Sequence, residues 1–392
     1  MTSQHRRAVV VCSYSPFPVT SGGRKRQVRL LEAMVRAGAT PHILTEDAVP
    51  EGLAEFNERG WPVEVFARPD ATLVSRARQH AWRDVLPHNP ELAKRLHILS
   101  RDAAFVQLEE IGAAQYARAH SRPAPLVVSL HNVDSQVAAA DPPTDGRRNR
   151  LRHAYHVRRM VSTETRAVRR ADVVTCVSEH DRDHFVSIGA RNCVVAHNGV
   201  DDELFAIPPI PPSSRSVFFF GQFGWKPNLD GARRYIARVW PHVAASVPGA
   251  TLRIAGPDSR EALGSAAAGC SRVEVLGFVP DIGAELASSR LVVAPLWAGG
   301  GTRIKVLEAL AAGRPVVGTP IGVERLGFVD GRHGLVSNDD EGLAEATAKI
   351  LTDDGAAHRY ARAARELAAG YRWTSTTGEM ERLYGHWVGS GP

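Results

Sequence analysis

The sequence predicts an α/β protein built from two Rossmann-like domains, each a doubly wound parallel sheet, facing each other across a cleft. Three observations carry this. At 392 residues and 44% apolar composition, the chain is too long for one ordinary core and can bury two. Short apolar runs alternate with amphipathic stretches, the pattern of a parallel sheet covered on both faces. The alternation stops at a proline-rich, polyproline-II-like stretch, IPPIPPSSRS (Ile207 to Ser216), and then restarts. These observations, with the final helix described below, predict domains at 1–206 and 207–372 followed by a separate C-terminal helix at 373–392.

In the first half, Ala8 to Cys12 reads as a strand and Gln27 to Ala37 as an amphipathic helix, with SGGRKR in the loop between them. Further strands are expected at His42–Leu44, Val63–Phe66, Phe105–Leu108, Leu126–Leu130, Val173–Val177 and Val194–His197. Ser178 is placed to cap the helix after Val177. The second half opens with the strand Val217–Gly221 and a helix from about Asp230 to Val239. TLRIAG, VEVLGF, RLVVAPL and RPVVGTP are its remaining strands. Between the last two, Thr302 is placed as the N-cap of a helix over Arg303–Ala312, which Gly313 and Pro315 terminate. Ile304, Leu307, Glu308 and Ala311 share one face of that helix, so a glutamate sits among apolar neighbours. The chain ends in a helix whose Met380, Leu383, Tyr384 and Trp387 share a face that needs a partner.

The net charge of +6 is uneven: residues 1–200 hold 28 Lys+Arg against 21 Asp+Glu, and the remainder 20 against 21. The densest basic stretch, Arg147 to Arg170, has arginines on every side of a helix and lacks the clean apolar face of a membrane-surface helix. It reads as a solvated helix, with an anionic membrane or acidic acceptor as the alternative. No zinc spacing or nucleic-acid recognition motif occurs, so nucleic acid is not an expected partner. Cys12, Cys176, Cys193 and Cys270 lie far apart without metal-ligand or redox spacing, which predicts buried thiols in a reducing compartment. The N-terminal apolar run is too short for a signal peptide or a membrane span, which predicts a cytoplasmic protein.

Several loops carry candidate chemistry. SGGRKRQ (Ser21 to Gln27) puts Gly22 and Gly23 before a helix, a setting that suits an anion and equally suits a plain turn. No G-x-G-x-x-G follows the first strand, which argues against hydride chemistry, and no P-loop is present. His131 directly follows a strand, where either a cleft residue or a structural histidine would sit. Asp201 and Asp202 follow Asn-Gly and read as turn and cap residues rather than metal ligands. GQFGWKPNLD (Gly221 to Asp230) is the second half's first strand-to-helix loop, from which Lys226 reaches an anion. GFVPD (Gly277 to Asp281) is another strand-end turn. Three of the five lysines, Lys25, Lys226 and Lys305, lie beside glycine-containing strand-to-helix turns. In WAGGGTRIKVLEALAAGRPVVGTPIG, the glycine loop before the Glu308 helix suits a phosphate, and a buried glutamate satisfied by a nearby arginine is the competing reading.

The ordered series SGGRKRQ, LHNVDSQ, ADVVTCVSEHDR, VVAHNGVDDELF, FGQFGWKPNLDGA, LGFVPD and GGGTRIKVLEALAAGRPVVGTPIG resembles the family-4 retaining glycosyltransferases over nearly the whole chain. The resemblance implies the two-domain GT-B fold, a nucleoside-diphosphate sugar as donor and co-substrate, and neither a cofactor nor a catalytic metal. It implies that Glu308 holds the donor ribose hydroxyls and that His131 lies beside the donor sugar. Gly22 and Gly23 match the glycine loop at the diphosphate, and the backbone of Phe278 and Val279 matches the turn bordering the base. It also implies a final helix that crosses back onto the first domain.

The chain departs from the family's pattern at two places. Gly300 stands where the family commonly has a glutamate eight residues before Glu308. Gln222 stands where it often has an arginine, and Lys226 comes one residue earlier than the usual lysine. The reading that follows is relocation of phosphate charge to Arg303 and Lys305, at the start of the Glu308 helix with Gly300, Gly301 and Thr302. His131, Arg303 and Lys305 are then the expected catalytic residues. No carboxylate pair is placed for double displacement, so no nucleophile is assigned. The acceptor is unidentified and the assembly is a monomer or homodimer. The basic first half leaves room for contact with an anionic membrane at the inner face, and a hinge is expected near Pro211. A sugar-nucleotide epimerase is the alternative enzyme, and a nucleic-acid-binding protein a more distant one.

Overall fold

The computed structural model describes residues 6–68, 88–140, 146–208, 214–299 and 302–389. The chain divides into two compact units, residues 1–197 with 377–392 and residues 198–376. The hinge expected at Pro211 lies outside the described residues, as do Gly300 and Gly301.

The first unit is a seven-stranded, all-parallel sheet in the order β3-β2-β1-β4-β5-β6-β7. Its strands are β1 (Arg6–Cys12), β2 (Ala39–Thr45), β3 (Val63–Val65), β4 (Phe105–Glu109), β5 (Leu126–Ser129), β6 (Val173–Cys176) and β7 (Cys193–Val195). The apolar runs at its centre are buried on both faces, as a parallel sheet between helices requires. Val9 and Val11 pack to one side with Val106, Leu108 and Val128, while Ala8, Val10 and Cys12 pack to the other with Phe105 and Val127. The C-terminal helix Gly378–Gly389 closes the second side. Its Tyr384 ring stacks on Phe105 with centroids 4.8 Å apart, and Met380 and Tyr384 are fully buried.

The first helix spans Gly22–Arg36, five residues longer at its start than the apolar periodicity indicates. Ser21 has extended backbone angles and its hydroxyl accepts from Arg24 N at 3.3 Å, so helix begins immediately after it. Gly22 and Gly23 are therefore the helix's first turn rather than a loop. Arg26, 1% exposed, reaches from this helix to the carbonyls of Ala196 and His197, with its Nη1 2.6 Å from Ala196 O. The long basic helix forms over Arg147–Arg170; its first turns stand in solvent, with Leu151 and Tyr155 exposed among the arginines. Ser178 caps the helix Glu179–Ser187, its hydroxyl accepting from Asp181 N.

The second unit is a six-stranded parallel sheet in the order β10-β9-β8-β11-β12-β13. Its strands are β8 (Ser216–Phe220), β9 (Thr251–Ala255), β10 (Val273–Gly277), β11 (Leu291–Ala294), β12 (Val316–Gly318) and β13 (Gly334–Val336). Val217 and Phe219 enter one core and Phe218 and Phe220 the other. The helix after β8 starts at Lys226, four residues before the expected Asp230, with Pro227 in its first turn where a missing N–H costs nothing. It runs into a π-helical turn, Tyr235–Val239. At the strand ends, Gly256 lies so close to Gly221 that an added Cβ would sit 1.8 Å from Gly221 O. No side chain fits there, which fixes the backbone of the β8 and β9 turns against each other.

The four thiols differ from a uniformly buried set. Cys12 and Cys176 are buried, whereas Cys193 and Cys270 are half-buried. The pairing of β6 with β7 brings Cys176 Sγ to 3.7 Å from Cys193 Sγ, a neighbour relation their 17-residue separation does not reveal. No described helix is long and apolar enough to cross a membrane.

Candidate functional site

Each unit gathers candidate residues at the carboxyl ends of its central strands, the edge where ligands bind in open α/β sheets. In the first unit the gathering point is His131, just beyond β5 and 8% exposed. Its Nε2 lies 3.0 Å from Glu109 Oε2 and its Nδ1 2.8 Å from Glu110 Oε1. Glu109 ends β4, the strand paired with β5, and Glu110 is the residue after it, opening a short helix. Alternation along β4 turns Glu109 inward, and Glu110 is swung to the same ring by an unusual backbone, φ = 67°. Glu109 also accepts from Gln107 Nε2, and Tyr384 of the C-terminal helix donates to Gln107 Oε1 at 2.6 Å. Tyr14 donates to Glu110 from the turn after β1. A hydrogen-bonded chain thus runs from the C-terminal helix through Gln107 and Glu109 to the imidazole.

The electrostatics follow from this geometry. Burial alone would drive His131 toward its neutral form, but the charges of Glu110 and Glu109 overcome it and hold the imidazolium with a pKa raised to about 9. Burial would raise Glu109, and His131, Gln107 and Arg26 reverse this, leaving it below the ordinary carboxylate value. Asp134 is pushed up to about 8 by burial, then by Glu110 and Glu164. Burial raises Tyr14 and Cys12 well above their usual values, and the two glutamates add to it.

Gly23 belongs to the same cluster. An added Cβ would lie 2.8 Å from the Tyr14 hydroxyl, 3.4 Å from Glu110 Oε1 and 3.6 Å from His131 Nδ1. The glycine pair therefore places the first helix's N-terminus against the histidine cluster, which a loop reading of SGGRKRQ does not convey. Gly22 is the residue before it in the same turn. Glu109, Glu110, Tyr14, Gln107 and Asp134 were not among the candidates read from the sequence. The paired acids in FVQLEE at a strand's carboxyl end were the signal that could have found the first two.

In the second unit the corresponding element is the helix Ile304–Ala311, between β11 and β12. It is buried on every side, from Ile304 through Ala311 apart from a half-buried Lys305, rather than along one apolar stripe. Glu308, 9% exposed, lies within it. The N-cap position is held by Arg303 and not Thr302. Thr302 is diverted: its hydroxyl accepts from Asn198 Nδ2 at 2.6 Å, and this bond competes with capping.

Arg303 is buried, 3.7 Å from Glu324 and with its guanidinium 5.7 Å from the Trp225 ring centroid. Burial lowers its pKa to about 10, against the pull of Glu324. Lys305 donates from Nζ to Asn228 Oδ1 at 2.7 Å and lies 4.6 Å over the Phe219 ring. Burial, and then the charge of Arg303, push its pKa well below the ordinary lysine value. Asn228 Nδ2 in turn donates to Gln222 O at 2.9 Å, so Lys305, Asn228 and Gln222 lock the turn after β8.

The remaining candidates are further apart. The Gln222 side chain is exposed. Lys226 is exposed and pairs with Asp230 at 3.0 Å across one turn of its own helix, so it is held at the surface rather than reaching from a loop. Phe278 is 59% exposed and Val279 partly buried, at the turn after β10 where Gly277 takes φ = 79°. The structure thus brings Arg303, Lys305, Thr302 and Glu308 together around one helix start, and leaves Lys226 outside that group.

Comparison with known proteins is consistent with this reading. The family models for glycosyltransferase family 4 and for glycosyl transferases group 1 match residues 20–204 and 214–353. A phosphatidyl-myo-inositol mannosyltransferase of Mycobacterium leprae is 30% identical over 201 residues, 48% of this chain and 52% of that protein. A D-inositol 3-phosphate glycosyltransferase of Mycobacteroides abscessus is 26% identical over 246 residues, 57% of this chain and 53% of that protein. The chain thus spans about half the length of the curated relatives it matches. Among solved structures, Anabaena HepE in complex with UDP-glucose superposes with a TM-score of 0.70 at 19% identity, covering 97% of this chain and 100% of that one. Sucrose-phosphate synthase from Thermosynechococcus elongatus gives a TM-score of 0.73 at 15% identity, covering 98% and 100%. The fold is accordingly GT-B, and with both halves matched by family models the chain belongs to the family-4 glycosyltransferases.

Proposed function

We propose that the chain transfers a glycosyl group from a nucleoside-diphosphate sugar to an acceptor hydroxyl, with retained anomeric configuration and without a metal. The observation that carries this reading is the helix start at Arg303, where a buried arginine, Arg303, and a half-buried lysine, Lys305, stand close to a buried glutamate, Glu308. Both cations are held at lowered pKa, so an anion beside them is favoured electrostatically. A departing diphosphate gains negative charge as the sugar gains oxocarbenium character, and fixed cations stabilise that change. Arg303 and Lys305 serve the diphosphate in this reading, with Gly23 as a further contact. Glu308 serves the ribose and the turn at Phe278–Val279 borders the base. His131 serves the sugar; a sugar hydroxyl reaching its ring displaces Glu110, the more exposed of its two carboxylates.

Support for the donor comes from HepE, whose structures were solved with UDP and with UDP-glucose. The relatives are named for phosphatidyl-myo-inositol and inositol 3-phosphate, so a phosphorylated inositol is the acceptor class to test first. The exposed first turns of the helix Arg147–Arg170 are the surface suited to an anionic membrane.

The test is thermal unfolding of the wild type and Glu308→Ala with UDP, GDP, dTDP, ADP and CDP. A ligand at about 100 times its Kd stabilises by roughly 2.7 kcal/mol, enough to move Tm by several degrees. One diphosphate stabilising only the wild type identifies the base and upholds the Glu308 assignment. No stabilisation of the folded protein by any of the five overturns the donor reading. Relocated phosphate charge is tested by Arg303→Ala, which weakens a nucleoside diphosphate more than the nucleoside; equal loss for both refutes it.

A further inference from the structure

The unit that carries His131 holds a concave feature at the opposite end of its sheet. The segments entering β5, β6 and β7 at their amino ends converge there with the turn Gln115–Arg118. A cavity of about 450 Å³ lies among them, and six arginines line it: Arg118, Arg122, Arg166, Arg169, Arg170 and Arg191. His131 follows the carboxyl end of β5, so the four residues of that strand, about 13 Å at 3.3 Å per residue, separate the two features.

The chain is arginine-rich, with five lysines among 48 basic residues, so exposed arginines are its ordinary surface. Some of them sit among acids, as in Arg95 with Glu64, Arg253 with Glu274 and Glu285, and Arg182 with Glu179 and Asp183. Beside this cavity the carboxylate of Asp172 lies 3.2 Å from Arg122. Arg169 bonds Ile188 O at 3.0 Å, Arg170 bonds Ala117 O at 2.6 Å and His120 O at 3.3 Å, and Arg166 bonds the Thr163 hydroxyl at 3.3 Å. Those acceptors occupy donors and leave the positive charge in place. Arg118 and Arg191 are exposed and make no hydrogen bond or ion pair among the described residues.

We propose that this arginine-lined cavity binds a phosphate-bearing anion at a site separate from the His131 and Glu308 clusters. Planar guanidinium groups bind phosphate through paired hydrogen bonds, and several converging on one concavity suit a ligand with more than one phosphate oxygen exposed. The volume is that of a small-ligand pocket, not of the extended groove a nucleic acid needs. A free polyphosphate and a lipid phosphate headgroup offer the same chemistry.

The experiment uses the full chain at low salt, with pyrophosphate binding followed by calorimetry in the wild type, Arg118→Gln/Arg191→Gln and Arg303→Gln. The first two substitutions alter exposed side chains, and unchanged thermal unfolding verifies the fold. A second arm follows co-sedimentation with phosphatidylglycerol vesicles against phosphatidylcholine vesicles. The expected result is saturable pyrophosphate binding that survives Arg303→Gln and weakens tenfold or more in the double variant. If the double variant also loses phosphatidylglycerol vesicles, and pyrophosphate competes them off, the anion is a lipid headgroup; vesicle binding indifferent to the variant assigns a free anion. Pyrophosphate and vesicle binding both unchanged in the double variant overturn the site, as does the absence of saturable pyrophosphate binding in the wild type.

Discussion

Replacing Glu109 by glutamine removes one of the two negative charges that hold His131 as an imidazolium, with little change in volume. The magnitude follows from the geometry. His131 rises from 6.5 to about 9, a difference worth roughly 3 kcal/mol at 1.36 kcal/mol per pH unit. Burial opposes that rise, so the carboxylates 3.0 Å and 2.8 Å away supply more than the net difference. On average each contributes more than half of it, over about 1.5 kcal/mol or more than one pH unit. The sign in stability is fixed by linkage: a group with a raised folded pKa stabilises fully below 6.5, and that stability is lost as pH rises through about 9. The assay is an NMR titration of the His131 ring in the wild type, Glu109→Gln and Glu110→Gln, with urea unfolding from pH 6 to pH 10. The wild type should lose stability across that window relative to His131→Gln, and the Glu109→Gln titration should move toward 6.5. A His131 pKa that stays near 9 in both glutamine variants would refute the argument.

Four further outcomes follow from the same contacts. Gly23→Ala gains at most about 1 kcal/mol of helix propensity but forces a Cβ to 2.8 Å from the Tyr14 hydroxyl, and overpacking of that kind costs about 1–3 kcal/mol, so urea unfolding should show a net loss. Asp134, raised to about 8, makes the folded state bind more protons than the unfolded chain between pH 3.8 and pH 8; stability therefore falls with rising pH there, and Asp134→Asn should gain on the wild type most at pH 8 and above. Tyr384→Phe keeps the ring stack on Phe105 but strands Gln107 Oε1, which should cost about 1–3 kcal/mol in thermal or urea unfolding; an unchanged midpoint would show that this bond is not needed. A nucleoside diphosphate beside Lys305 should raise that lysine's lowered pKa, so binding takes up protons and weakens as pH rises; calorimetry in buffers of different ionisation enthalpy reads the uptake, which Lys305→Met should abolish.

The alternation of strands and helices, the parallel character of both sheets and the position of His131 beyond a strand end are legible in local sequence alone. Those features rest on local periodicity and on residues that start or stop elements, which need no distant partner. Thr302 and the glycine pair at Gly22 show where that reasoning ends. Thr302 has the chemistry of an N-cap, yet Asn198, more than one hundred residues away in sequence, takes its hydroxyl. Gly22 and Gly23 read as a loop, but the Ser21 cap draws them into the helix, and only folding brings Tyr14, Glu110 and His131 against Gly23. The charge state of His131 was likewise decided by tertiary structure: pairing of β4 with β5 brings the histidine just beyond one strand against Glu109 and Glu110 at the end of the other, positions 22 and 21 residues away. An apolar pattern records which face of an element is buried; it carries no record of which polar group from another element will meet it there, and electrostatic energies vary steeply with that distance.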